Sequence, residues 1–324
     1  IEPGDWSSDV CSSDLSSKCG VVTESGEIIE QLVITSLQPT LEEYIADLTS
    51  AINNLKAKSI SRGEIVGIGI GAPNANYYTG SIEFAPNITW CRDKNGEPTV
   101  VNLADILSEK TGLPVSITND ANAAAMGEMA YGVAKGLKNF IMITLGTGVG
   151  SGIVIDGKLV YGHDGFAGEL GHVCVEANGR QCNCGLKGCL ETYASAMGVA
   201  RSAKLALQDS NSKESILNQY DFEKISAKDV YDAAKQGDAT AIKIFADTGK
   251  ILGRAFADFV KFSAPEAIIL FGGMTKSKEF FHNAIVESMD QNLMKVWKGK
   301  IKILYSSLKE SDAAILGASA LAIQ

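Results

Sequence analysis

The chain is 324 residues long, with 45% hydrophobic residues, 21% charged residues and 33 glycines, a composition that excludes a disordered or fibrous protein and is ample for two packed domains. Its longest apolar stretches, such as Phe140 to Leu145 and Ala267 to Phe271, fall far short of the roughly 20 residues a membrane-spanning helix needs, so no membrane partner is expected. Lys and Arg number 29 against 38 Asp and Glu, a net charge of -9, which leaves a nucleic acid without the basic face it requires and fits a cytoplasmic protein.

Residues 1–15 read IEPGDWSSDVCSSDL, with neither the cationic start nor the apolar core of a leader peptide, and without the periodicity of a helix or strand. Beyond them, Gly20-Val21-Val22 and Glu27-Ile28-Ile29 flank Glu24-Ser25-Gly26 and predict a hairpin. Pro39 and Thr40 open a helix whose apolar positions run from Leu41 to Leu55 at three-or-four spacing and which ends by Arg62-Gly63. Val66, Ile68 and Ile70 alternate with glycines, predicting a strand with one face of bare backbone that something can approach closely. A second helix-then-strand unit spans Leu103 to Thr118 and ends at Asn119-Asp120, where Asp120 is placed to cap the Ala-rich helix Ala121 to Tyr131. Asn139 to Leu145 is a strand, followed by a glycine-rich turn, a strand at Ile153 to Ile155 and a tight turn at Asp156-Gly157. The pattern between Ser195 and Phe262 is helical throughout. Strand Ala267 to Phe271 runs into Gly272-Gly273, a helix follows to about Leu293, Ile301 to Tyr305 is a last strand, and Asp312 to Ile323 is a last helix.

Seven cysteines are an odd count for a secreted disulfide framework. His172, Cys182, Cys184 and Cys189 instead offer three thiolates and an imidazole, the donor set of a closed tetrahedral zinc, and four protein ligands leave no open position, so such a metal is structural. Buried or disulfide-bonded cysteines are the alternative, though a C-x-C pair rarely bridges itself. Asp120 admits two readings: a base that takes the proton of a substrate hydroxyl as its oxygen attacks phosphorus, or a helix cap. The run Leu145 to Gly150 has no P-loop lysine and leads into a strand, so it fits neither a Walker loop nor a dinucleotide fingerprint, yet its backbone N–H groups can meet phosphate oxygens. Glu169 and Glu191, tied to the same loop as His172, are either solvated surface groups or, with that imidazole, an acceptor cage for sugar hydroxyls.

The segments Ile117 to Ala124, Leu145 to Gly152, and Gly168-Glu169-Leu170-Gly171-His172 through Cys182-Asn183-Cys184 to Glu191 resemble the ROK family of repressors, open reading frames and sugar kinases, over a stretch from about Ser16 to the C-terminus. The resemblance implies an α/β architecture, the two-domain actin-like ATPase (ribonuclease H-like) fold with a cleft between domains. It implies a smaller N-terminal domain over 16–118, on which a C-terminal helix at 308–324 packs back, and a larger domain over 119–307. By function it implies a glucokinase-like hexose kinase, transferring phosphate from ATP to a 6-hydroxyl with Asp120 as base. Asn87, Asn119, Asp120, Glu169, His172 and Glu191 would bind the sugar, with His172 reaching zinc through its other nitrogen. Gly146, Thr147 and Gly148 would meet the ATP phosphates, Gly272 and Gly273 would lie against the adenosine, and Mg2+ would accompany ATP. A homodimer is also implied.

One departure stands out. Family kinases begin with a D-x-G-G-T phosphate loop, whose place falls at Cys11 to Leu15, where no residue matches. The run Asp5 to Leu15 resembles the translation of a sequencing adapter joined to a gene, so residues 1–15 are expected to be foreign and the chain as written a poor kinase. Two other functions remain in view: an N-acetylhexosamine kinase of the same family, and a sugar-sensing regulator that binds without turnover.

Overall fold

A computed structural model describes residues 16–209 and 212–323 of the chain. The expectation about residues 1–15 lies outside the described residues.

The first elements are β1 (Ser16–Val22), β2 (Ile28–Thr35) and α1 (Leu41–Ser59). They are followed by β3 (Ile68–Gly71), β4 (Ala75–Asn76), β5 (Ser81–Glu83), β6 (Val100–Val101), α2 (Leu103–Thr111), β7 (Val115–Thr118) and α3 (Asp120–Tyr131). Then come β8 (Phe140–Leu145), β9 (Val149–Ile155), β10 (Lys158–Leu159), a 3-10 turn at Leu170–His172, α4 (Glu191–Ala194) and α5 (Ala196–Leu207). The remainder is α6 (Ala227–Lys235), α7 (Ala239–Ser263), β11 (Ala267–Phe271), α8 (Lys278–Asn292), β12 (Lys302–Tyr305) and α9 (Glu310–Ala322). Among the described residues no helix is long and apolar enough to cross a membrane.

Two compact units emerge, one of residues 16–138, 152–168 and 306–323, the other of residues 139–151 and 169–305. In the first, β1 and β2 pair antiparallel about a turn closed by the Gly26 N–H donating to the Thr23 carbonyl at 2.9 Å, with Gly26 at φ 88°. Thr40 caps α1, its side chain accepting from the Glu43 N–H. β3 and β7 run parallel. The bare face read from the glycines of β3 receives α9: a Cβ on Gly69 would stand 1.8 Å from the Ala318 carbonyl oxygen. α9 also crosses α3 at close range, since a Cβ on Gly127 would lie 2.9 Å from the Gly317 Cα. These contacts keep α3 with the N-terminal segment, so the division falls after Lys138 rather than after Thr118.

In the second unit β8, β11 and β12 run parallel, with β11 between the other two. β11 is an unbroken apolar run because both of its faces are covered, and Ala267 to Leu270 are fully buried. α7 and α8 pack closely along Gly249 and Gly253, where a Cβ would meet the Phe281 and Ile285 carbonyl oxygens at 2.6 and 2.4 Å. Phe245, Phe256 and Phe281 fill the core beneath them. β9 flanks β8 and runs on past Ser151 into the first unit, where β10 pairs with its end. The stretch 195–262 is less helical than its apolar pattern implied. Among the described residues between α5 and α6 the chain is mostly turns, broken by a 3-10 segment at Ile216–Gln219; Ser226 with Asp229 forms a capping box on α6, and Asp238 caps α7 by accepting from the Ala241 N–H.

Candidate functional site

The first unit supplies Asn87, Asn119 and Asp120. β7 ends on its ladder with β3, and the chain turns at once into α3, so the residues at the junction stand at a strand's carboxyl end and a helix's start. Asn119, not Asp120, is the N-cap: its side chain accepts from the Ala121 N–H at 2.8 Å. Asp120 is the first helical residue, exposed, with its Oδ1 accepting from the same N–H at 2.7 Å. A shared donor, the Ala121 N–H, holds both side chains. Asn87 is also exposed, in the loop after β5.

The second unit supplies the proposed metal ligands. His172, Cys182, Cys184 and Cys189 bring one ligand atom each to within 4.8 Å of the others. Cys182 Sγ lies 3.7 Å from His172 Nδ1, and Cys184 Sγ lies 3.6 Å from Cys189 Sγ. Zinc–sulfur bonds of about 2.3 Å at tetrahedral angles set ligand atoms roughly 3.8 Å apart, so the four residues fit such an ion. Burial pushes the Cys189 thiol up to about 12. A thiol that dry is a poor anion by itself and an apt ligand for a dication, which deprotonates it outright. With Nδ1 turned to the thiols, Nε2 of His172 lies 4.0 Å from Glu169 Oε2. The imidazole thus presents its two nitrogens to different neighbours.

Glu191 follows the last of these cysteines and joins two parts of the unit. Its Oε2 accepts from the Val149 N–H at 2.9 Å, while Oε1 lies 3.8 Å from Cys182 Sγ. A Cβ on Gly148 would stand 2.5 Å from Glu191 Oε2, so any larger residue here would push that carboxylate aside. The glycine turn after β8 is therefore fitted to this carboxylate. Within the turn the Gly146 N–H donates to the Gly148 carbonyl at 3.0 Å and the Ala196 N–H donates to the Gly146 carbonyl at 2.7 Å, so Gly146 is engaged in holding the turn and the start of α5. Gly272 has a packing duty of its own: it sits at φ 102°, and a Cβ would meet the Leu145 carbonyl oxygen at 2.6 Å, which brings Gly272-Gly273 beside the end of β8.

The structure thus gathers the four ligands, Glu169, Glu191 and the glycine turn within one unit, and holds Asn87, Asn119 and Asp120 in the other. Two residues escaped the sequence reading. Arg180 donates to the Thr192 carbonyl at 2.7 Å, the Gly198 carbonyl at 3.0 Å and Ser202 Oγ at 2.9 Å, and stacks 4.4 Å over the Tyr193 ring, tying the metal loop to α4 and α5. Burial lowers its pKa. Cys174, two residues after His172, stands opposite Cys189 in an antiparallel bridge. Its nearness to His172 in sequence was the available signal.

Comparison with known proteins follows the same lines. A sequence model of the ROK family matches residues 16–324. The glucokinase of Halalkalibacterium halodurans is 39% identical over 264 residues, 80% of this chain and 78% of that protein. The crystal structure of a ROK family glucokinase from Streptomyces griseus in complex with glucose and AMPPNP superposes with a TM-score of 0.75 at 31% identity, covering 96% of this chain and 97% of that one. A ROK family transcriptional regulator, a homologue of the E. coli MLC protein, superposes with a TM-score of 0.81 at 26% identity, covering 95% of this chain and 76% of that one.

Proposed function

Since the chain belongs to the ROK family, with its actin-like ATPase fold, and is a glucokinase-like sugar kinase, we propose that it transfers the γ-phosphate of ATP to the 6-hydroxyl of glucose or a related hexose, with Asp120 as the base. The observation that carries the assignment of the base is the exposed Asp120 carboxylate at the first turn of α3, fixed beside its cap Asn119. As the hydroxyl oxygen forms its bond to the γ-phosphorus, Asp120 takes the hydroxyl proton and the bridging oxygen leaves with ADP.

The remaining roles follow the donor and acceptor chemistry. Asn87 and Asn119 offer amides to sugar hydroxyls, while Glu169, Glu191 and the Nε2 of His172 offer acceptors on the metal loop. Thr147 and Gly148 present backbone N–H groups to the phosphates, and Gly146, whose N–H closes the turn, allows close approach. Gly272-Gly273 lie against the adenosine. Mg2+ bound with ATP neutralises phosphate charge. His172, Cys182, Cys184 and Cys189 would hold a structural zinc ion, which would keep the loop between His172 and Glu191 in one shape. The protein acts in the cytoplasm as a homodimer, a state that sedimentation checks.

The regulator reading is favoured by one observation, the 0.81 superposition on a family regulator. Turnover separates the two. The test is a hexose panel of glucose, mannose, N-acetylglucosamine and N-acetylmannosamine, with the product's phosphorylated position read by NMR. It is run on the chain as given and with a D-x-G-G-T segment placed before Ser16. A 6-phosphate of glucose is expected; a preferred N-acetylhexosamine would correct the substrate, and saturable sugar binding with no product from either form would favour the regulator.

A further inference from the structure

The outer edge of the metal loop holds a pair of cysteines that phosphoryl transfer does not use. Cys174 and Cys189 face each other across an antiparallel bridge. The Val175 N–H donates to the Gly188 carbonyl at 2.8 Å and the Leu190 N–H to the Val173 carbonyl at 3.0 Å, so hydrogen bonds flank the cysteine pair and none joins it. That is the closer of the two antiparallel registers, with opposed Cα atoms about 4.5 Å apart and side chains on one face. A disulfide spans Cα separations of about 4.4–6.8 Å, so the backbone already stands at bridging distance. Gly188 keeps the space open, because a Cβ there would lie 3.2 Å from Cys174 Sγ. Cys174 is exposed and reachable by a small oxidant, whereas Cys189 is fully buried and belongs to the convergent ligand set.

We propose that Cys174 and Cys189 form an oxidative modification site, a cross-strand disulfide made with an oxidant of the peroxide class. The Cys174 sulfur attacks the peroxide; an S–O bond forms, the O–O bond breaks, and one oxygen leaves as water, giving a sulfenic acid. The Cys189 sulfur then attacks the Cys174 sulfur; the S–S bond forms, the S–O bond breaks, and a second water leaves. Two thiols lose two electrons, one peroxide becomes two waters, and a dithiol reductant reverses the bond. Formation of the bond withdraws Cys189 from the four ligands, so three remain and the metal is released. Glu191, two residues further on, then loses its fixed place. The release and its consequence rest on the zinc reading above, while the disulfide itself does not.

The experiment exposes the full chain to graded hydrogen peroxide and maps its cysteines by mass spectrometry without reduction, while a chelating dye follows zinc. Expected is a linked Cys174–Cys189 peptide pair, lost on treatment with dithiothreitol, and zinc release slowed at least about tenfold in Cys174→Ser. Bonds found only among Cys182, Cys184 and Cys189 would overturn the modification site, and equal zinc release from zinc-loaded wild type and Cys174→Ser would overturn its coupling to the metal. Elemental analysis before the oxidant keeps the two readings apart: a zinc-free chain that still forms the Cys174–Cys189 bond keeps the modification site and removes the metal assignment.

Discussion

Asp120 and Glu191 each occupy the first position of a helix, but they are delivered there by different kinds of structure. Asp120 follows β7, whose ladder partner β3 is packed against α9, and it begins a twelve-residue helix with a side-chain cap. Glu191 begins a four-residue helix with no side-chain cap, after a loop that has little regular secondary structure. What fixes Glu191 is the convergence of three thiols and an imidazole, the clamp of Arg180, and its own bond to the Val149 N–H. One carboxylate is placed by the hydrophobic core and backbone ladder; the other depends on the convergent thiols and imidazole, with the metal proposed there, and a few polar contacts. Changes in the loop should therefore disturb Glu191 while leaving Asp120 in place.

The largest effect on stability is expected from removing a ligand. Cys182→Ala should cost on the order of 4 kcal/mol and leave the chain without zinc, because loss of a structural metal is among the few mechanisms that reach this size. Elemental analysis and chemical denaturation check it, and full stability without metal would erase the distinction between the two carboxylates. A smaller loss, about 2–3 kcal/mol, is expected for Arg180→Ala, which leaves the Thr192 and Gly198 carbonyls and Ser202 without their charged donor. Arg180→Lys should recover only part of it, since an ammonium cannot reproduce the guanidinium fork or its stacking on Tyr193. Thermal denaturation of both variants gives the order; an unaffected Arg180→Ala would assign the loop's shape to the metal alone.

The smallest effect probes the other side of the comparison. Glu128 on α3 is fully buried, its carboxylate accepting from Ser306 Oγ and, at 2.8 Å, from the Val133 N–H. Burial raises its pKa above the ordinary 4.5, against the lowering effect of those two bonds. The folded state therefore holds this proton more tightly than the unfolded chain. Its contribution is full below the unfolded value and is lost as pH rises through the higher folded value. Wild type should lose stability across that window, whereas Glu128→Gln should be flatter. Urea titrations at a series of pH values measure the slope, and parallel slopes for the two proteins would contradict the burial argument.

Much of this architecture was legible because local signals and tertiary packing agree. The Gly26 turn, the periodic face of α1 and the β3 glycines each state a local requirement that the fold honours. The convergence of the four candidate ligands was legible for a similar reason, since three thiols and an imidazole in a short glycine-rich run have few other uses. What the sequence could not resolve were choices between neighbours and long-range placements. Asn119 and Asp120 are both good caps, and only the hydrogen bonds show that Asn119 takes the cap position while Asp120 starts the helix. The place of α3 depends on its crossing with a helix near the other end of the chain, which spacing does not encode. Arg180 reads as a surface charge until its three acceptors are seen. Cys174 acquires meaning only through the strand pairing that sets it opposite Cys189.

The central claim is that Asp120 is the base of a sugar kinase, and it is tested most directly by the rate of ATP-dependent hexose 6-phosphate formation in wild type and Asp120→Asn, each carrying a D-x-G-G-T segment before Ser16. The account predicts product from wild type and a loss of roughly 100-fold to 10,000-fold in the variant, with sugar affinity by calorimetry nearly unchanged. Equal rates in the two proteins would contradict it.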